Sequence, residues 1–263
     1  MSLLEAPTFI VLSAGTPHYG NEPSSLKKTT DSTRILDWQL NAIEGLCNKK
    51  ILVSGYHANE FDQEIFKNVQ IINNKMWAET RSVYSFLLAL EEVKNSALVT
   101  YGDILFRDII AKELINSKND VAIAISDLDN ENGGKYKNKF KELLYQDNNT
   151  LSKIGNNVDK EFSKKEFIGV AFFSSRAIEF IKENLEILKN KFKLCHMSEL
   201  IEFLRSQGFE VSNFFISKKD FCLSRFNNEV SSIIACLESS RYFKSISLGL
   251  LSESFKVSIF FSK

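Results

Sequence analysis

The chain has 263 residues, 44% apolar and 25% charged, enough to build one large globular domain, or one with a small appendage, without disulfides or a structural metal. Its 33 basic and 33 acidic residues cancel, so no net field draws it to nucleic acid or to an anionic membrane. Cys47, Cys195, Cys222 and Cys236 form no C-x-x-C pair and only His18, His57 and His196 accompany them, which excludes a zinc signature and points, with no signal peptide, to a reducing cytoplasm.

The apolar runs are strand-sized, as at Phe9–Leu12 and Val170–Phe173, far short of the roughly 20 residues that span a bilayer. Thr8 to Leu12 is a fully apolar, β-branched run ending at Ser13-Ala14-Gly15, the pattern of a buried parallel strand and its following loop. A polar loop to about Thr33 follows, and then Ile35, Leu36, Trp38, Leu40, Ile43 and Leu46 recur at helical spacing, predicting a helix to Cys47. Ile51 to Ser54 reads as a second strand meeting Gly55-Tyr56, Asn59 to Phe66 as a helix, and Val69 to Ile72 as a strand. Ser82 to Val93 reads as a helix, Ala97 to Tyr101 as a strand running into Gly102-Asp103, Ile109 to Asn116 as a helix and Val121 to Ile125 as a strand. This alternation predicts an α/β fold, a mostly parallel mixed sheet flanked by helices.

Asp127 to Lys165 is polar and reads as an insertion, with a short helix at about Lys137 to Leu144 and edge strands. Phe167 to Phe173 is predicted as a strand, Ala177 to Leu188 and Ser198 to Ser206 as helices, the second closed by Gly208. Phe209 to Ile216 resembles a return strand. Residues 1–228 then form the main domain, and 229–263 an appendage with a helix at Val230 to Leu237 and a strand around Phe255 to Phe261.

In open α/β sheets ligands sit beyond the carboxyl ends of the strands. Three such ends carry Gly15, Gly55-Tyr56 and Gly102-Asp103, small residues that let backbone N–H groups approach phosphate. The loop is neither a Walker P-loop nor a dinucleotide fingerprint.

Taken together these segments resemble the nucleoside triphosphate transferases. Leu12-Ser13-Ala14-Gly15 is similar to their L-A-A-G opening, and Pro23-Ser24-Ser25-Leu26 stands where they have P-K-A-L. Ile35 to Leu40 resembles the next helix and Ser54-Gly55-Tyr56 the G-Y after the second strand. Asn74-Lys75-Met76-Trp77 with Thr80, Ser82 and Ser85 resembles N-x-x-[YW] and T-x-S-x-x-S. Tyr101-Gly102-Asp103 is similar to the G-D metal motif, and Glu166 to Val170 to a strand shared by several members. The likeness spans about Phe9 to Ser174 and is greatest to the cytidylyltransferases of phosphocholine, phosphonates and phosphorylated amino acids.

The resemblance implies a Rossmann-like nucleotidyltransferase fold and transfer of CMP from CTP to a small phosphorylated or phosphonate acceptor. It implies nucleotide contacts at Leu12, Ser13, Ala14, Gly15, Ser24, Gly55, Tyr56, Thr80, Ser85 and Gly102, and acceptor contacts at Trp77, Arg81, Glu166 and Gly169. Asp103 is the implied Mg²⁺ ligand; its plainer reading is a turn residue. His18, Asp127 and Asp129 are secondary candidates for phosphate or metal contact, read more simply as solvated.

The family's G-x-G-[ST]-R opening is absent, since Gly15 to Gly20 holds no Arg, and its Lys is Ser24. Lys27 and Lys28 are the candidate replacements, because a lysine is a point charge on a flexible stem. No clear second metal-binding motif stands near Asp220 to Asn228. Two other readings are a sugar-1-phosphate nucleotidyltransferase and a nucleotide-binding relative that acts through a partner without turnover. A homo-oligomer is left open.

Overall fold

The computed structural model describes residues 6–17, 20–29, 32–61, 66–127, 142–147, 150–155, 158, 163, 165–216 and 221–223. The proposed helix and strand of the 229–263 appendage lie outside them.

Strands β1 (Thr8–Leu12), β2 (Lys49–Ser54), β3 (Gln70–Asn73) and β4 (Ala97–Tyr101) are separated by helices α1 (Ile35–Ala42) and α2 (Ser82–Ala89). A short strand β5 (Ile104–Phe106), helix α3 (Asp108–Ile115) and strand β6 (Val121–Asp127) follow. The second half holds β7 (Glu142–Asp147), β8 (Thr150–Ile154), β9 (Lys165–Phe173), α4 (Ser175–Glu183), α5 (Leu185–Lys191), α6 (Met197–Ser206), β10 (Val211–Phe215) and β11 (Phe221–Leu223). The main sheet has nine strands, seven in the order β10-β6-β9-β4-β1-β2-β3, with the β7-β8 hairpin joined to β9. Strands β1, β2, β3 and β4 are mutually parallel, as are β6 and β10, and β9 alone in the row runs antiparallel to its neighbours β4 and β6. The chain is thus α/β with a mostly parallel mixed sheet, as the alternating pattern predicts.

Two apolar layers cover the sheet, and strand periodicity assigns residues between them. Ile10 and Leu12 of β1 face the layer built with α2, α4, α5 and α6, whereas Phe9 and Val11 face the one built with α1 and α3. Phe86 of α2 stacks on Phe173 of β9 with ring centroids 5.1 Å apart, both fully buried. Helix α1 starts where Asp37 caps it, accepting from the Arg34 backbone N–H at 3.2 Å and from its guanidinium at 2.8 and 2.9 Å.

Several predicted boundaries move. Helix α1 ends at Ala42 rather than Cys47, because the chain turns through Gly45 at φ +72°. Only a 3-10 turn, Ala58–Glu60, forms where a helix to Phe66 is expected, residues 62–65 lying outside the described set. The helix expected from Ala177 to Leu188 is two, broken at Asn184, whose side-chain amide donates to the Phe180 carbonyl at 2.9 Å in place of helical continuation. In the insertion, Glu142 to Leu144 belong to a strand and not to a helix, and 137–141 lie outside the described residues. The reason is a vacant edge: β9 pairs with β4 only through Val170–Phe173, and its first residues project beyond β4, where β7 pairs with Lys165–Phe167. Tertiary pairing outweighs local propensity there.

Cys47 is buried, and burial pushes its thiol up to about 12 against a weaker opposing pull from Lys50. The unfolded thiol ionises near its ordinary value while the folded one keeps its proton, so this contribution is full below about pH 9 and lost as pH rises to about 12. Denaturant unfolding across that range is expected to show stability falling for the wild type and a shallower fall for Cys47→Ala; equal slopes would remove the thiol from the alkaline limb.

Candidate active site

Strands β1, β2 and β4 stop in step, with Leu12 opposite both Val53 and Tyr101. The three predicted strand-end segments therefore meet at one sheet edge. Ser13 N–H donates to Val53 O at 2.9 Å, Tyr56 N–H to Ala14 O at 2.8 Å and Gly102 N–H to Leu12 O at 2.9 Å. The contacts leave no space for side chains: a Cβ on Gly102 would lie 2.9 Å from Ser13 Oγ, and one on Gly55 would lie 2.7 Å from Ala14 O. A Cβ on Gly15 would meet none of the described atoms within 4 Å, so among the described residues the chain has room there.

The loop after β1 folds back over this edge. Its 3-10 turn Ser24–Leu26 buries Ser25, whose hydroxyl lies 2.6 Å from Ser13 Oγ. Ser24 is half-buried beside it. The turn delivers Lys27, half-buried, to the neighbourhood of Asp103: burial lowers the lysine pKa, and the carboxylates of Asp103 and Glu22 oppose that. Asp103 itself is only 8% exposed. Lys28 is exposed and forms a β-bridge to Arg34. Arg34, the first arginine in the chain, is held by Asp37 and lies over the Phe66 ring at 4.5 Å.

One wall is organised by Asn74, 1% exposed. Its amide donates to Thr80 Oγ1 at 2.9 Å and Ser85 Oγ at 3.1 Å, and its carbonyl accepts from Met76 N–H at 3.0 Å. Ser85 is buried and Thr80 half-buried, so both hydroxyls brace the segment that carries Trp77. Tyr56 meets Trp77 edge-on at 5.3 Å and stacks on His57 at 4.0 Å. Arg81 is exposed.

The opposite wall comes from the insertion. The Tyr101 hydroxyl donates to Glu142 Oε1 at 2.5 Å and accepts from Met197 N–H at 3.3 Å, and Glu142 Oε2 accepts from Ser198 N–H at 2.8 Å at the start of α6. Burial first, then the Glu142 carboxylate, holds the Tyr101 phenol well above its ordinary range. Gly169, at φ +86°, lies under this ring, where a Cβ would approach Tyr101 Cδ2 to 2.5 Å; only glycine fits both the conformation and the space. Glu166 is buried on β9, opposite Ser126 and Leu143. Asp127 ends β6 with Lys165 at 3.2 Å, while His18, Asp129 and Asp220 lie outside the described residues. Glu142 is not among the expected site residues, because a helical reading of its segment gives no reason to place it beside Tyr101.

Among the described residues no group of three His, Cys, Asp or Glu gathers to hold a metal. A single carboxylate still fits Mg²⁺ chemistry, since that ion is usually bound by one or two carboxylates and completed by phosphate and water. Asp103, buried at the crevice edge, supplies one such donor.

No family model and no curated protein matches the chain. Solved structures do match in fold. The inositol-1-phosphate CTP transferase from T. maritima superposes with a TM-score of 0.68 at 16% identity, covering 89% of this chain and 97% of that one. The CTP:phosphocholine cytidylyltransferase from Streptococcus pneumoniae superposes with 0.64 at 18% identity, covering 88% and 99%. A Bacillus anthracis protein assigned as a glucose-1-phosphate thymidylyltransferase gives 0.67 at 13%, covering 89% and 96%. The chain has the fold of the nucleotidyltransferases, cytidylyltransferases among them.

Proposed function

We propose that this nucleotidyltransferase-fold chain transfers CMP from CTP to a small phosphate or phosphonate monoester, releasing pyrophosphate. An acceptor oxygen forms a bond to the α-phosphorus of CTP. The bond from that phosphorus to the bridging oxygen breaks, and its electron pair leaves with pyrophosphate. The protein's task in such a displacement is positioning and charge stabilisation.

One observation carries the reading: Gly15, Gly55-Tyr56 and Gly102-Asp103 converge at one sheet edge with Lys27 beside Asp103. The glycines admit the triphosphate chain, and Leu12 at the end of β1 encloses it with Ser13, Ala14 and Ser24 of the following loop. Lys27, rather than exposed Lys28, supplies the positive charge that the leaving pyrophosphate needs. Asp103 would hold Mg²⁺, which would supply neutralising charge at the α-phosphate. The Asn74 brace, through Thr80 and Ser85, fixes the nucleotide side of the crevice. Trp77 and Arg81 face the acceptor from that side, and Glu166, Gly169 and Tyr101 from the insertion side. No helix among the described residues is long and apolar enough to cross a membrane.

CTP is expected to stabilise the protein more than ATP, GTP or UTP in a thermal-shift series with and without Mg²⁺. At about 100-fold saturation a bound ligand adds about 2.7 kcal/mol. Equal shifts from all four nucleotides would sink the base preference. No shift from any would favour a partner-binding role.

A further inference from the structure

We propose that Gln39 is a positioning residue of this site, and that α1 sets the distance between Lys27 and the Asp103 turn. This rests on reading Asp103 as the Mg²⁺-holding carboxylate. Gln39 is fully buried in the middle of α1. Its amide nitrogen donates to Tyr101 O at 2.9 Å and to Ile104 O at 2.7 Å. Those carbonyls end β4 and begin β5, and only Gly102 and Asp103 lie between them. One nitrogen atom thus ties both ends of the turn that carries Asp103. Of the uncharged side chains, only a primary amide places two donors on one atom.

The same helix holds the other partner. Its first residue, Ile35, donates its backbone N–H to Lys27 O at 3.0 Å. Lys27 and the Asp103 turn are therefore both suspended from one short helix, α1, and their approach follows from its rigidity. Gln39 Oε1 is buried and accepts no hydrogen bond from the other described residues. An unpaired buried acceptor is a desolvation cost.

The test compares wild type with Gln39→Met, which keeps the volume but has no donor. Residues that orient a metal ligand typically change metal affinity by about 10- to 100-fold. The variant is expected to need that much more Mg²⁺ to reach half of the Mg²⁺-dependent gain in CTP affinity, while metal-free CTP binding stays nearly unchanged. Hydrogen exchange should quicken at the Gly102 and Asp103 amides and not in β1 or β2. A folded variant with wild-type Mg²⁺ dependence and wild-type exchange overturns the proposal. If the variant does not fold, NMR of the wild type decides: the Gln39 side-chain amide protons should exchange as slowly as β4 amides and shift when Mg²⁺ and CTP are added. Free exchange or no shift overturns it equally. A wild type without Mg²⁺-dependent CTP binding instead overturns the functional reading and the role built on it. Accelerated turn exchange in Gln39→Met would then still identify the clamp as a structural one.

Discussion

Asp103→Asn is expected to abolish turnover while leaving the fold and metal-free CTP binding nearly intact. The substitution keeps the shape at a buried crevice position and removes the charge that a hard cation requires. A loss of about a thousandfold in kcat corresponds to roughly 4 kcal/mol of transition-state stabilisation, within what a bound metal ion supplies. Removing the carboxylate also leaves Lys27 without the stronger of the two anions that favour its charged form. The ammonium then turns to the triphosphate, so metal-free CTP affinity should hold or improve. Product formation and CTP affinity measured across a Mg²⁺ series decide the matter. The same Mg²⁺ dependence in both proteins would make Asp103 a turn residue only.

Lys27→Ala should lower kcat by about 10²–10³, the size found when a single charge-stabilising donor is lost, with a much smaller change in KM. The asymmetry arises because charge on the departing pyrophosphate grows only in the transition state. Lys28→Ala is the internal control. Its side chain is exposed and its backbone bridges Arg34, so its steady-state constants should match the wild type. Two unaffected single variants would end the compensating-lysine idea. A loss at Lys28 alone would mean that the loop rearranges around bound nucleotide.

The architecture was largely legible because apolar runs of four or five residues alternate with helical periodicity, and each run ends on small residues. That is enough to lay out the strands along the chain and to put Gly15, Gly55 and Gly102 at strand ends, where ligands sit in open α/β sheets. What could not be read is whatever depends on neighbours distant in sequence. Glu142 looks helical until the uncovered edge of β9 is seen to recruit it. Asn184 splits a helix through a side-chain bond that no apolar pattern reveals. The choice between Lys27 and Lys28 is likewise invisible in one dimension. It rests on the burial that the folded loop gives to Lys27 and not to its exposed neighbour. Gln39 reads as one polar residue on an amphipathic helix, and its task appears only when Tyr101 and Ile104 are found opposite it.

The late arrival of β9, reversed between β4 and β6, shapes how the chain is made. β4, whose end carries the Asp103 turn, lies between β1 and β9. During synthesis β1 is already present when β4 emerges, but β9 follows after more than 60 further residues, at Lys165–Phe173. Until then the β4 edge is an open template for another chain, and pairings so distant in sequence form slowly. β6, which leans on the far side of β9, waits with it. β4 and β6 are therefore joined late, when β9 pairs with both. Nascent chains released before about residue 173 are expected to aggregate rather than to rest as a stable half-domain.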